Sequence, residues 1–171
     1  YRASEMRVIP EMDQLISWLQ SNLPEDDGKI ALVHGDYRLD NVMFSKENQH
    51  IIAVLDWELS TLGHPIADFS YHCLSWRTQE AFWDQAKLKE LGIPSEREYM
   101  EMYCENSGKD LSKNWEFYMA FNMFKIAGIL QGILGRVRDG TAASKHAEER
   151  GNMVFPLSEA AWSTIEENFL K

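Results

Sequence analysis

Acid, base and amide side chains crowd into the stretch LVHGDYRLDN, residues 32 to 41, where Asp36, Arg38, Asp40 and Asn41 share six consecutive positions. A second acidic group, Asp56-Trp57-Glu58, follows the apolar run Ile51 to Leu55. A carboxylate, an amide oxygen five residues later and another carboxylate at a strand end are hard oxygen donors. Such a set suits magnesium accompanied by phosphate oxygens better than zinc, which wants more nitrogen or sulfur. Asp and Asn are also ordinary turn and capping residues that bond local backbone donors, so each alone carries little weight. The joint spacing of Asp36, Asn41 and Asp56 on two separate elements carries the inference.

Those elements are legible in the surrounding pattern. Ile30-Ala31-Leu32-Val33 predicts a short buried strand leading into the polar loop. Asn41 to Phe44 and Ile51 to Leu55 predict two further strands, joined as a hairpin by the polar stretch Ser45 to His50 and ending at Asp56. Upstream, Met12, Leu15, Ile16, Trp18, Leu19 and Leu23 recur at helical spacing between Pro10 and Pro24. After Pro65 the pattern turns helical, with Ile66, Phe69, Ser70 and Cys73 on one face, and helices are expected over 79–91, 95–107, 112–137 and 153–169. The third of these has a broad apolar stripe that includes Trp115, Met119, Phe121 and Ile129, read as packing, and its Gly128 and Gly132 would let another element approach closely. Turn residues from Asp139 to Ser144, followed by the charged run Lys145 to Arg150, predict a mobile loop. The expected fold class is α+β and mostly α-helical, with a short β-hairpin carrying the polar loops.

At 171 residues the chain can bury one sizeable core, and one domain or one lobe of a larger one is expected. Its first residues carry no leader pattern and no initiator methionine, which reads as a piece of something longer. The formal charge of −10 speaks against nucleic acid as a partner, because phosphate-backbone binding relies on clustered Lys and Arg. No window reaches the roughly 18 consecutive apolar residues of a membrane span, so no membrane partner is expected. Cys73 and Cys104 stand in no metal or redox spacing, which makes a reducing compartment the default.

His34-x-Asp36 with Asn41 five positions on is the H-x-D-x-x-x-x-N spacing of a kinase catalytic loop, and Asp56-Trp57-Glu58 stands where a metal-binding D-F-G would. With HGDYRLDN and AVLDWELSTLGHPIAD, the chain resembles the aminoglycoside phosphotransferase and choline kinase-like family, and in particular the kinase-like domains found alone in bacteria or fused to acyl-CoA dehydrogenases. The resemblance covers most of the chain, with its specific motifs between His34 and Asp68. It implies the C-terminal lobe of a protein kinase-like fold, with ATP as phosphoryl donor and a small-molecule hydroxyl as acceptor. Asp36 would be the catalytic base and Arg38 a phosphate contact. Asn41 and Asp56 would hold Mg2+, with Glu58 a weaker candidate ligand. His34 would orient the loop, and Asp68 would hydrogen-bond its backbone. The word aminoglycoside in the family's name does not identify the acceptor. Trp57, Tyr71, Trp76, Lys145 and Arg150 are candidates to line the acceptor site, with core packing the better reading for each aromatic.

The same resemblance implies an N-terminal nucleotide-binding lobe, with a phosphate-covering loop and a lysine paired to a helix glutamate. Neither is found in residues 1–171, and Lys29 precedes the catalytic strand too closely to serve. The lobe alone is therefore expected to turn over little. Two other classes fit the same residues: a non-catalytic kinase-like domain that binds a ligand or partner, and a magnesium-dependent hydrolase. The expected location is the cytoplasm, or an organelle for a eukaryotic fusion protein.

Overall fold

The computed structural model describes residues 1–78, 85–111 and 113–170. The chain divides into two compact units, Tyr1–Pro24 with Met119–Lys171, and Glu25–Tyr118.

In the first unit, helix α1 (Pro10–Ser21) opens with proline at its first turn and Glu11 and Asp13 beside it, a favourable arrangement at the positive end of a helix. Its Met12, Leu15 and Leu19 are buried, as are Val154, Leu157, Ala161 and Ile165 of α7 (Val154–Phe169), and the two helices pack together. Both residue sets recur three or four positions apart, so each helix presents one apolar stripe. Trp18 and Phe169 meet beside that seam with ring centroids 4.8 Å apart.

Helix α5 (Trp115–Arg138) is long and apolar enough to cross a bilayer by length and composition. Its buried positions include the polar Asn122 and Gln131, and Gln131 Nε2 donates to the Ser4 carbonyl at 2.6 Å, the pattern of a core helix. The buried face runs through Met119, Met123, Ala127, Gln131 and Leu134, while Phe121 and Ile129 of the expected stripe are exposed. The close approaches expected at Gly128 and Gly132 occur elsewhere. A Cβ on Gly128 would meet nothing within 4 Å, whereas one on Gly135 would lie 3.0 Å from Ser4 Cβ, and one on Gly151 2.6 Å from the Leu134 side chain. Gly128 and Gly132 sit on the more open side of α5, where a missing side chain brings no neighbour nearer. The charged run expected as a mobile loop instead enters a short helix, α6 (Ala147–Asn152), which buries Ala147 and Gly151.

Among its described residues, the second unit holds four short strands in two antiparallel ribbons. Strand β1 (Ala31–Val33) pairs with β4 (Thr61–Gly63), Leu32 opposite Leu62. Strand β2 (Val42–Phe44) pairs with β3 (Ile51–Val54), Val42 opposite Val54. The expected hairpin is thus present, but β1 is not the buried strand its composition predicted. Val33 is buried, while Leu32 and Leu62 are 62% and 73% exposed, because alternate residues of a two-stranded ribbon point away from the covered face. Asn41, expected at the start of β2, closes a 3-10 turn over Leu39–Asn41.

The helices of this unit are α2 (Ile66–Thr78), α3 (Gln85–Glu90), α4 (Glu96–Ser107) and the start of α5. The first part of the helix expected over 79–91 lies outside the described residues. Ser95 starts α4 with a reciprocal capping box to Glu98, and Gly108 ends it in the left-handed region at φ +66°. On α2, Ile66, Phe69, Ser70 and Cys73 form the buried face that their spacing predicted, joined by Leu74. The Phe69 ring stacks on Tyr103 with centroids 3.9 Å apart and meets Trp115 at 5.6 Å, so one aromatic cluster joins α2, α4 and the start of α5.

The same three helices share an ion cluster. Arg77 donates to both oxygens of Glu96, with its shortest contact 2.6 Å from Nη2 to Oε1, and to both oxygens of Glu116, and Trp115 Nε1 donates to Glu96 Oε1 at 2.8 Å. Burial opposes the charge on Arg77, but the two carboxylates outweigh it and hold the guanidinium above its ordinary pKa. Replacing Arg77 with methionine leaves two largely covered carboxylates facing each other. Arg77→Met is expected to cost about 3 kcal/mol, read from a denaturant midpoint, and adding Glu96→Gln and Glu116→Gln is expected to recover part of it.

Candidate active site

The loop after β1 is held by one carboxylate on α2. Asp68 accepts the backbone N–H of His34 through Oδ2 and that of Gly35 through Oδ1, the latter at 2.8 Å. Two charge-assisted bonds from adjacent amides to one carboxylate fix the chain where it leaves the strand. Gly35 then turns at φ +84°, and a Cβ there would lie 2.6 Å from the Leu59 carbonyl oxygen, so the loop packs directly on the 3-10 turn Trp57–Leu59.

His34 is 2% exposed and bonded through both ring nitrogens. The Asp36 N–H donates to Nδ1 at 3.2 Å, and Nε2 lies 2.7 Å from the Leu55 carbonyl. Since Nδ1 accepts, the ring proton sits on Nε2, which donates to Leu55 O. The Trp57 ring covers the imidazole with centroids 4.8 Å apart. His34 therefore ties the loop to the end of β3. The N–H of Leu55 also donates to the Asn41 carbonyl at 2.8 Å, so one residue, Leu55, bonds both the loop's start and its end.

Asn41 Nδ2 donates to the Asp36 carbonyl at 2.8 Å and to Asp36 Oδ2 at 3.0 Å. Both neighbours are acceptors, so the amide nitrogen faces them and Oδ1 is the atom left to meet a cation. The other oxygen of the same carboxylate, Asp36 Oδ1, accepts from the Tyr71 hydroxyl at 2.6 Å. Burial first, and then this bond, push the Tyr71 phenol well above its ordinary pKa.

Asp56 comes immediately after Leu55, at the same end of the β2–β3 ribbon as Asn41, with φ +65° and ψ +53°. That left-handed conformation is uncommon for a residue with a side chain and is tolerated best by Asp and Asn. The Asp56 and Glu58 carboxylates are exposed and, among the described residues, take no side-chain hydrogen bond. Also among the described residues, no three His, Cys, Asp or Glu side chains gather into a metal cage. The oxygens here that could join water and phosphate oxygens around a magnesium ion are the Asn41 amide oxygen and the Asp56 carboxylate.

Arg38 is half exposed and forms an ion pair with Asp40. Its hydrogen bond to Asp40 holds its pKa above the ordinary value against partial desolvation, with Asp36 and Tyr71 adding to the effect. The structure thus brings together Asp36 and Asn41, places Asp56 one residue beyond the Leu55–Asn41 backbone bond, and turns Arg38 towards Asp40. Asp68 hydrogen-bonds the loop backbone as expected. The contact that sequence reasoning passed over is Tyr71, read as a packing aromatic. Its signal was its position three residues after Asp68 on one helix, which puts both side chains on the face towards the loop. Gly35→Ala is expected to lower stability by about 2 kcal/mol or more, and Asp68→Asn, which sets an amide N–H against a backbone N–H, by about 2 kcal/mol, both measurable by chemical denaturation.

The sequence pattern of the APH phosphotransferase enzyme family matches residues 1–103. A crystal structure from Ralstonia eutropha JMP134, of a protein provisionally described as an aminoglycoside phosphotransferase, superposes with a TM-score of 0.89 at 46% identity, covering 98% of this chain and 52% of that one. Acyl-CoA dehydrogenase family member 10 of Mus musculus is 45% identical over 167 residues, 95% of this chain and 16% of that protein. Acyl-CoA dehydrogenase family member 11 of Homo sapiens is 39% identical over 173 residues, 99% of this chain and 22% of that protein. The chain therefore spans about half of the crystallised relative and about a fifth of the dehydrogenase family members. The mostly helical fold with few strands is the kinase-like fold of the crystallised relative. With the catalytic-loop spacing, the loop geometry and this fold in agreement, the chain belongs to the APH phosphotransferase enzyme family.

Proposed function

We propose that the chain is the catalytic, C-terminal lobe of an ATP-dependent phosphotransferase that acts on a hydroxyl group of a small molecule. The observation that carries this reading is the Asp36 carboxylate, gripped by Asn41 on one oxygen and Tyr71 on the other, with Asp56 at the neighbouring ribbon end. Asp36 accepts the proton of the acceptor hydroxyl as its oxygen bonds to the γ-phosphorus, and the bridging bond breaks with its electron pair leaving on ADP. Asn41 offers its amide oxygen and Asp56 its carboxylate to Mg2+, with Glu58 as a further candidate ligand. When bound, the cation offsets the charge of the phosphate oxygens. Arg38 contacts phosphate once it releases Asp40, an exchange made easy by the low strength of an exposed pair, about 0–1 kcal/mol.

Exposed apolar side chains support a second lobe. Ile30, Leu32 and Leu62, in or next to one ribbon, are 73%, 62% and 73% exposed, large apolar side chains left open to water. A nucleotide-binding lobe seated there would cover them and supply the remaining phosphate contacts, so residues 1–171 alone turn over little. The similarity to acyl-CoA dehydrogenase family members makes a hydroxy acid, free or as its acyl thioester, the first acceptor to try.

The test mixes the full-length protein with labelled ATP, magnesium and a panel of alcohols that includes hydroxy acids and their coenzyme A thioesters. Transfer to an alcohol is expected, lost by at least about 100-fold in Asp36→Asn. Phosphate release to water alone would make the protein a hydrolase. Neither product would make it a binding domain. Asp56→Asn is expected to raise the magnesium concentration needed for half-maximal rate.

A further inference from the structure

A carboxylate serves as a base only if one of its lone pairs points at the proton it takes, and a free Asp side chain turns about its last torsion. Asp36 does not have that freedom, because each of its oxygens has a separate donor. Asn41 Nδ2 holds Oδ2 at 3.0 Å from within the loop, and the Tyr71 hydroxyl holds Oδ1 at 2.6 Å from α2. Each carboxylate oxygen has two lone pairs, so each keeps one for the acceptor hydroxyl. The Tyr71 contact is short enough for a charge-assisted bond, and it comes from the helix whose Asp68 fixes the loop backbone.

We propose that Tyr71 is a positioning residue for phosphoryl transfer, its phenol orienting the Asp36 carboxylate so that the remaining Oδ1 lone pair meets the acceptor hydroxyl. This rests on the reading of Asp36 as the base. Tyr71 keeps its proton throughout: the acceptor's proton goes to Asp36, and the phenol remains a donor to Oδ1. Burial supports that role by keeping the phenol un-ionised beyond the ordinary tyrosine range. Arg38 also faces the pair: its charge attracts the Asp36 carboxylate and draws the phenol's pKa down, but by less than burial and Asp36 push it up. No part of the nucleotide needs to touch Tyr71, so its loss acts on the chemical step and not on ATP binding.

The experiment compares the full-length wild-type protein with Tyr71→Phe, which keeps the ring, on the alcohol that the wild type phosphorylates. Expected is a fall in kcat of about tenfold with the KM for ATP unchanged, where a merely structural role would alter stability and leave that split unmoved. An unchanged kcat, or a fall explained by a higher KM for ATP, overturns the proposal. A second readout needs no activity. In protein labelled at tyrosine Cζ, the Tyr71 resonance, assigned by its absence in Tyr71→Phe, is expected to shift in Asp36→Asn and to resist titration past pH values at which free tyrosine ionises. A resonance that ignores Asp36→Asn overturns this proposal alone. Full transfer by Asp36→Asn, or no transfer by the wild type to any alcohol, overturns the reading of the base and this inference with it.

Discussion

Two backbone amides and one carboxylate set the geometry of everything around them. The N–H groups of His34 and Gly35 leave the β1–β4 ribbon at a place where no strand partner continues, and Asp68 satisfies both. A part-buried amide without an acceptor costs as much as a lost hydrogen bond, so the loop and α2 hold each other in register. With the backbone fixed there, Gly35 can turn against Leu59, His34 can reach Leu55, and Asp36 arrives between Asn41 and Tyr71. Helix α2 is the common support: Asp68 and Tyr71 face the loop, Phe69 and Cys73 fill the core, and Arg77 at its far end binds Glu96 and Glu116.

This arrangement divides labour between rigid and exchangeable polar contacts. The bonds to Asp68, His34 and Asp36 are part-buried and mutually dependent, so they hold one conformation. The Arg38–Asp40 pair is exposed, with both side chains more than half accessible, and water competes for it. Under the proposed phosphoryl transfer, the two kinds of contact would serve different ends: a carboxylate that does not wander, and a cation whose resting partner can be exchanged for phosphate.

Much of this was legible in the sequence. The HGDYRLDN segment brings Asp36 and Asn41 within bonding distance, because a short loop leaves their side chains few places to go. The helical face of Ile66, Phe69, Ser70 and Cys73 was equally plain from its spacing. What escaped was decided by partners distant in sequence. Strand β4 is three residues long and has no alternation to reveal it; only pairing with β1 makes it a strand. Arg77, Glu96 and Glu116 look like surface charges until three helices bring them together. Gly128 and Gly135 are identical as letters, and only the position of Ser4 makes one of them a close contact. Tyr71 is an aromatic on a buried helix, and the polar use of its hydroxyl depends on a carboxylate 35 residues earlier.

Leu55 carries a different lesson. The residue is 42% exposed, yet its peptide groups join the two ends of the His34–Asn41 loop, donating to the Asn41 carbonyl and accepting from the His34 ring. Side-chain truncation there would leave both bonds in place, so an alanine scan would report position 55 as dispensable. Drift among descendants could likewise exchange the leucine for many residues while the peptide went on joining the same two partners. Proline is the exception, since it removes the N–H. On the Leu55 side, the seam between the His34–Asn41 loop and the acidic turn is therefore written in main chain, where residue identity leaves no trace of it.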